Sequence, residues 1–169
     1  MILLRTSLVS TIALLFSWTF AAQVARAQKQ ESRKLVFVCE HGTVKSVVAV
    51  EHFNRLARAR GLNIEAISRG TRPDSTVPGP VNQGLAGDGF DVSRFRARPL
   101  TADDLTSAVL VVTLDADVNA IVGTTVRTDH WDGLPSVLSN YANGRAAIVT
   151  RVERLVDSLV KAKGTRAPE

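Results

Sequence analysis

The chain has 169 residues, 21 Lys and Arg against 16 Asp and Glu, and a formal charge of +5. So mild a basicity, without arginines and lysines interleaved with aromatics, argues against a nucleic-acid partner. A single cysteine rules out an intramolecular disulfide. Three histidines at unrelated spacings make no metal-ligand pattern, so neither metal nor cofactor is expected.

The first 27 residues read as a signal peptide. Met1 to Arg5 is a short basic start, Leu8 to Ala22 is almost wholly apolar, and Ala25-Arg26-Ala27 supplies a small-x-small cleavage site before Gln28. The apolar stretch falls short of the ~20 residues that span a bilayer, so no stable membrane insertion is expected after cleavage. The mature chain is expected to be secreted, to a bacterial periplasm. Its length suits one domain, assigned to residues 34–163 between a flexible leader, 28–33, and a tail, 164–169. The densest basic cluster, Arg94-Phe95-Arg96-Ala97-Arg98, reads as a solvated face or a rim for anionic substrates.

Lys34 to Val38 predicts a buried strand. From Lys45 to Arg60, Val47, Val50, Phe53 and Ala57 recur at helical spacing, with Gly61 as a stop. Leu62 to Ser68 predicts a second strand, and Arg69 to Asp74 a loop. A short helix is expected from Val81 to Ala86, ended by Gly87 and Gly89. Ala108 to Leu114, a continuous β-branched and leucine run, predicts a strand of a parallel sheet covered on both faces. Asp115 to Ala120 is expected to be briefly helical, Ile121 to Thr128 a strand, Asp129 to Gly144 a long loop, and Arg145 to Lys163 a closing amphipathic helix. Alternating strands and helices imply an α/β fold with a parallel sheet.

The chemistry concentrates where the first strand ends. Cys39-Glu40-His41-Gly42-Thr43-Val44-Lys45-Ser46 puts a thiol, five residues, a cation and a hydroxyl into a short loop ahead of a helix. Backbone N–H groups at a helix start, with the positive end of its dipole, bind anions and stabilise a thiolate. Open α/β sheets also place their ligands at the carboxyl ends of strands. The alternative for Cys39, a buried inert thiol, fits poorly with so polar a loop. Lys45 as an ordinary first-turn lysine would oppose the helix dipole. His41 either tunes the loop or lines its rim, and His52, mid-helix, reads as a surface or packing residue.

This loop resembles that of the low-molecular-weight protein tyrosine phosphatase superfamily, C-x-G-N-x-C-R-S, and its arsenate reductase branch, C-x-H-N-x-x-R-S. Ser68-Arg69-Gly70-Thr71 is similar to the family's S-A-G-T, Val111-Val112-Thr113-Leu114 to its V-V-T-L, and His130-Trp131 to the segment before its D-P pair. The resemblance implies a three-layer fold, with a central parallel sheet of roughly four strands and helices on both faces. It implies Cys39 as the nucleophile that forms a phosphocysteine and Ser46 as the hydroxyl that stabilises its thiolate. Lys45 stands in the position of the phosphate-gripping arginine, and residues Glu40, His41, Gly42, Thr43, Val44 and Lys45 would form the cradle.

The chain departs from the pattern at four points. Lys45 replaces a planar fork with a point charge. Gly42 replaces an asparagine, both residues tolerating left-handed backbone. No D-P pair exists, so the general acid is Asp132 or Asp129, with Asp132 preferred for its place after the aromatic, although turn and capping roles suit both. Asp115 stands where the reductase branch has its second cysteine. Three functions are therefore weighed. The first is phosphomonoester hydrolysis, with protein phosphotyrosine as one substrate. The second is non-catalytic binding of an oxyanion or phosphopeptide. The third is arsenate reduction with an external thiol donor.

Overall fold

The computed structural model describes residues 33–118 and 126–165. The signal peptide, most of the leader and most of the tail lie outside these residues. Four strands and four helices follow in the order β1 (Arg33–Cys39), α1 (Lys45–Ala59), β2 (Ile64–Gly70), α2 (Gly79–Gly87), α3 (Ala102–Ser107), β3 (Ala108–Leu114), β4 (Thr128–Trp131) and α4 (Tyr141–Gly164). The strands form one sheet in the order β2-β1-β3-β4, and every pairing is parallel.

Central β1 is buried on both sides, which is why its sequence shows an apolar run instead of alternation. Leu35, Phe37 and Cys39 face a core shared with Val47 and Phe53 of α1 and with Ile148, Val152 and Val156 of α4. Val36, Val38 and Val111 face a smaller core closed by Leu105 of α3, together with Leu100 and Val118. Helices thus cover both faces in a three-layer α/β fold. The Phe37 ring meets Phe53 at 5.8 Å and Trp131 at 5.6 Å between centroids, tying β1 to α1 and β4. Among the described residues, no helix is long and apolar enough to cross a membrane.

Several elements differ from their expected bounds. The second strand runs Ile64–Gly70, and the helices expected at Val81–Ala86 and Arg145–Lys163 are longer, at Gly79–Gly87 and Tyr141–Gly164. The α3 helix leaves no periodic signal in the sequence, since it is only six residues long. Its determinant is a capping box, in which Asp104 N–H donates to Thr101 Oγ1 at 3.2 Å and Thr101 N–H donates to the Asp104 carboxylate at 3.1 Å. The fourth strand is Thr128–Trp131 rather than Ile121–Thr128, of which 121–125 lie outside the described residues. It is an edge strand whose only buried residue is Trp131, so its polar sequence resembled a loop. Residues 115–118 are not helical, because Asp115 turns the chain at φ +49° directly after β3.

Candidate active site

The loop between β1 and α1 wraps around the sulfur of Cys39. Gly42 N–H donates to Cys39 Sγ at 3.2 Å, and Ser46 Oγ lies 3.0 Å from the same sulfur. Ser68 Oγ is 2.7 Å from Ser46 Oγ and 2.8 Å from the Gly42 carbonyl, and its one proton can serve either. Cys39 is only 4 % exposed, so these hydrogen bonds act where water competes little. No side chain caps α1, and its first N–H groups and positive dipole end remain directed at the loop. The Thr43 hydroxyl is fully buried and has no hydrogen-bond partner among the described residues.

Gly42 is required twice over. Its φ is +68°, and a Cβ there would stand 2.9 Å from Gly70 N and 3.0 Å from the Ala97 Cβ. The loop is thereby pressed against two others, which are themselves tied by Gly70 N–H to the Arg98 carbonyl and Leu100 N–H to the Gly70 carbonyl, each at 3.0 Å. Thr71 and Arg72 donate backbone N–H groups to the Cys39 and Glu40 carbonyls at 3.2 and 2.8 Å. The Glu40 carboxylate pairs with Arg72, and His41 Nδ1 lies 3.3 Å from Asp74. Residues 39–46 thus form one loop at the Cys39 sulfur, with the Glu40 and His41 side chains half-exposed at its rim.

The cation of the loop is not solitary. Lys45 Nζ donates to Asp115 Oδ2. Asp115 also accepts Gly133 N–H on Oδ1 at 2.7 Å and Leu134 N–H on Oδ2 at 3.3 Å, while its own N–H donates to the Trp131 carbonyl at 3.2 Å. Burial raises the Asp115 carboxyl, but the hydrogen bond and charge of Lys45, with the Gly133 and Leu134 amides, outweigh it and hold the group below the usual carboxylate range. Asp115 stays ionised at neutral pH and cannot serve as an acid there. Its signal in the sequence was its position at the carboxyl end of β3, but its pairing with Lys45 could not be read there.

The two acid candidates part company. Asp129 Oδ2 accepts the Trp131 indole N–H at 3.0 Å. The side chain of Asp132 is exposed, and its loop is fastened from both sides, by Asp115 through Gly133 and by Arg151, which donates to the Asp132 carbonyl at 2.9 Å. His130 Nδ1 is 2.9 Å from Thr113 Oγ1, across the β3–β4 pair. His52 is 2 % exposed and fixed between Arg55 on Nδ1, at 3.1 Å, and Asp88 on Nε2, at 3.3 Å. Since arginine only donates, Nδ1 accepts and Nε2 carries the proton.

The family model for low molecular weight phosphotyrosine protein phosphatases matches residues 34–162. No curated protein matches by sequence. Solved structures that resemble the chain include an arsenate reductase from Archaeoglobus fulgidus at 26 % identity, covering 73 % of this chain and 98 % of that one, with a TM-score of 0.56. A low molecular weight phosphotyrosine phosphatase from Vibrio cholerae is 19 % identical, covering 75 % and 95 %, with a TM-score of 0.67. An arginine phosphatase from Geobacillus stearothermophilus is 16 % identical, covering 81 % and 99 %, with a TM-score of 0.69.

Proposed function

The chain belongs to the low molecular weight phosphotyrosine protein phosphatase family, and on that premise we propose that it is a secreted enzyme hydrolysing a phosphomonoester through a phosphocysteine. The observation that carries the reading is the convergence on one sulfur of the Gly42 N–H, which donates to it, and the Ser46 hydroxyl, 3.0 Å away, at the start of an uncapped helix. The Cys39 thiolate attacks phosphorus and the ester P–O bond breaks. The departing oxygen takes a proton from Asp132, and water then releases phosphate from sulfur. Lys45 and the loop amides neutralise the phosphoryl oxygens. Protein phosphotyrosine is one substrate that this reading admits.

The Lys45–Asp115 pair supports a second reading. A cation partly neutralised by a carboxylate is poorly placed to stabilise the charge of a phosphoryl transition state, which fits binding of an oxyanion or phosphopeptide without turnover. Arsenate reduction would need an external thiol donor, because the chain has one cysteine. Turnover of p-nitrophenyl phosphate, with Cys39→Ser as control, tests the proposal. Activity indistinguishable from that control would defeat it. Export to a periplasm rests on the pattern of residues 1–27, and a mature protein recovered with Met1 in place would overturn it.

A further inference from the structure

We propose that a second anion-binding site, distinct from the Cys39 loop, lies between β4 and α4 and takes a small phosphorylated compound with an apolar portion. A cavity of about 420 Å³ opens there, and its wall includes Arg127, Arg151, Arg154, Trp131 and Ser158. That volume falls in the range of small-ligand sites. No residue of the Cys39–Ser46 loop lines it.

Three guanidinium groups converge on this space from two elements. Arg151, Arg154 and Ser158 recur at three- and four-residue steps and so share one stripe of α4. Arg127 immediately precedes β4 on the opposite wall. Neither Arg127 nor Arg154 makes a side-chain hydrogen bond or ion pair among the described residues, and Arg151 spends one N–H on the Asp132 carbonyl. The one acidic side chain in the wall, Asp129, already accepts the Trp131 indole N–H. The cavity therefore holds more positive than negative charge and a surplus of planar donor forks, which match phosphate oxygens bidentately. Leu110, Leu155 and the Trp131 face supply an apolar floor continuous with the core. An anion with an organic portion fits both halves of that lining.

Inorganic phosphate and phenylphosphonate, titrated into the full chain at constant ionic strength, provide the test by ¹H–¹⁵N NMR. The expected result is a saturable shift of the Trp131 indole and the Leu155 and Ser158 amides, with phenylphosphonate the tighter probe. In the Arg127→Ala, Arg154→Ala double variant that response should weaken at least tenfold, while the response of Gly42 and Lys45 persists unchanged. The Arg127→Lys, Arg154→Lys variant, which keeps the charge, should retain part of the binding. The site is refuted if only residues 39–46 respond, if the Trp131 shift survives both alanines, or if chloride alone reproduces it. Because the Gly42 response is followed separately, failure here leaves the reading of the Cys39 loop untouched.

Discussion

Lys45 and Asp115, 70 residues apart in the chain, meet as an ion pair that joins the anion loop to the turn following β4. Asp115 thus offsets the charge that the proposed reading assigns to an oxyanion and, with its other oxygen, holds the Gly133 amide. The Asp115→Asn variant should separate these roles. Removing the negative charge should tighten inhibition by inorganic phosphate several-fold, while a loosened Asp132 loop lowers kcat. Steady-state kinetics with phosphate as inhibitor checks this. An unchanged inhibition constant would mean that Asp115 lies outside the electrostatics of the loop.

Replacing Lys45 probes the cation itself. Lys45→Ala should lower turnover by about 100-fold, the scale seen when one oxyanion donor is lost. Lys45→Arg should raise turnover above wild type, since a fork can hold Asp115 with one N–H and the phosphoryl group with others. If alanine alters neither turnover nor oxyanion affinity, the loop is not an anion site.

Ser46 should matter through sulfur rather than through folding. Its hydroxyl is the side-chain partner of Cys39, and a hydrogen bond to a charged group contributes about 1.5–3 kcal/mol. Ser46→Ala should therefore slow p-nitrophenyl phosphate turnover by roughly 10- to 100-fold, the rate equivalent of that energy. Alkylation of Cys39 by iodoacetamide at pH 7 should slow in parallel. The thermal midpoint should move little, because the Ser68 hydroxyl can turn fully to the Gly42 carbonyl.

His52, buried in the middle of α1, introduces a pH dependence of stability. Burial pushes this imidazole down, and Arg145 and Arg55 add to the shift against the opposing pull of Asp88. A group lowered in the folded state binds its proton more readily when unfolded. Its contribution is therefore intact above the ordinary histidine value of ~6.5 and is lost as pH falls below it. Urea unfolding should show a midpoint that drops between pH 7.5 and 5, and His52→Gln should flatten that drop. A His52→Gln profile parallel to wild type would assign the effect elsewhere.

Arg69 and Asp104 form the bidentate pair that fastens β2 to α3, with Nε and Nη2 each 2.7 Å from a carboxylate oxygen. Asp104 also completes the capping box of α3. Asp104→Ala leaves a half-buried guanidinium unpaired and should cost about 3 kcal/mol of stability by denaturant unfolding. A cost under about 0.5 kcal/mol, typical of exposed ion pairs, would show that the pair is structurally idle.

The α/β architecture was legible because β1 and β3 are buried on both faces, and burial of that kind writes itself as unbroken apolar runs. The Cys39–Ser46 loop stood out for a different reason: the pattern that marks it lies within eight consecutive residues. What escaped the sequence depends on contacts between distant segments. The Lys45–Asp115 pair is one case, since both residues have ordinary alternatives at a helix start and a strand end. The β4 strand is another, because an edge strand with one buried residue leaves no periodic trace. Asp132 and Asp129 look equivalent in sequence, and only the Trp131 indole on one of them and the doubly fastened loop of the other distinguish their surroundings.

Gly42, in contact with Gly70 and Ala97, gives the cradle a property that its eight-residue sequence hides. The loop is a junction of three chain segments and not a portable cassette. A synthetic peptide of residues 39–46, or the same octapeptide grafted between a strand and a helix of another scaffold, would lack the walls that force its amides inward. Redesign of this chemistry must therefore carry the flanking loops along with the motif, and a screen that scores the octapeptide alone would overlook the positions where failure begins.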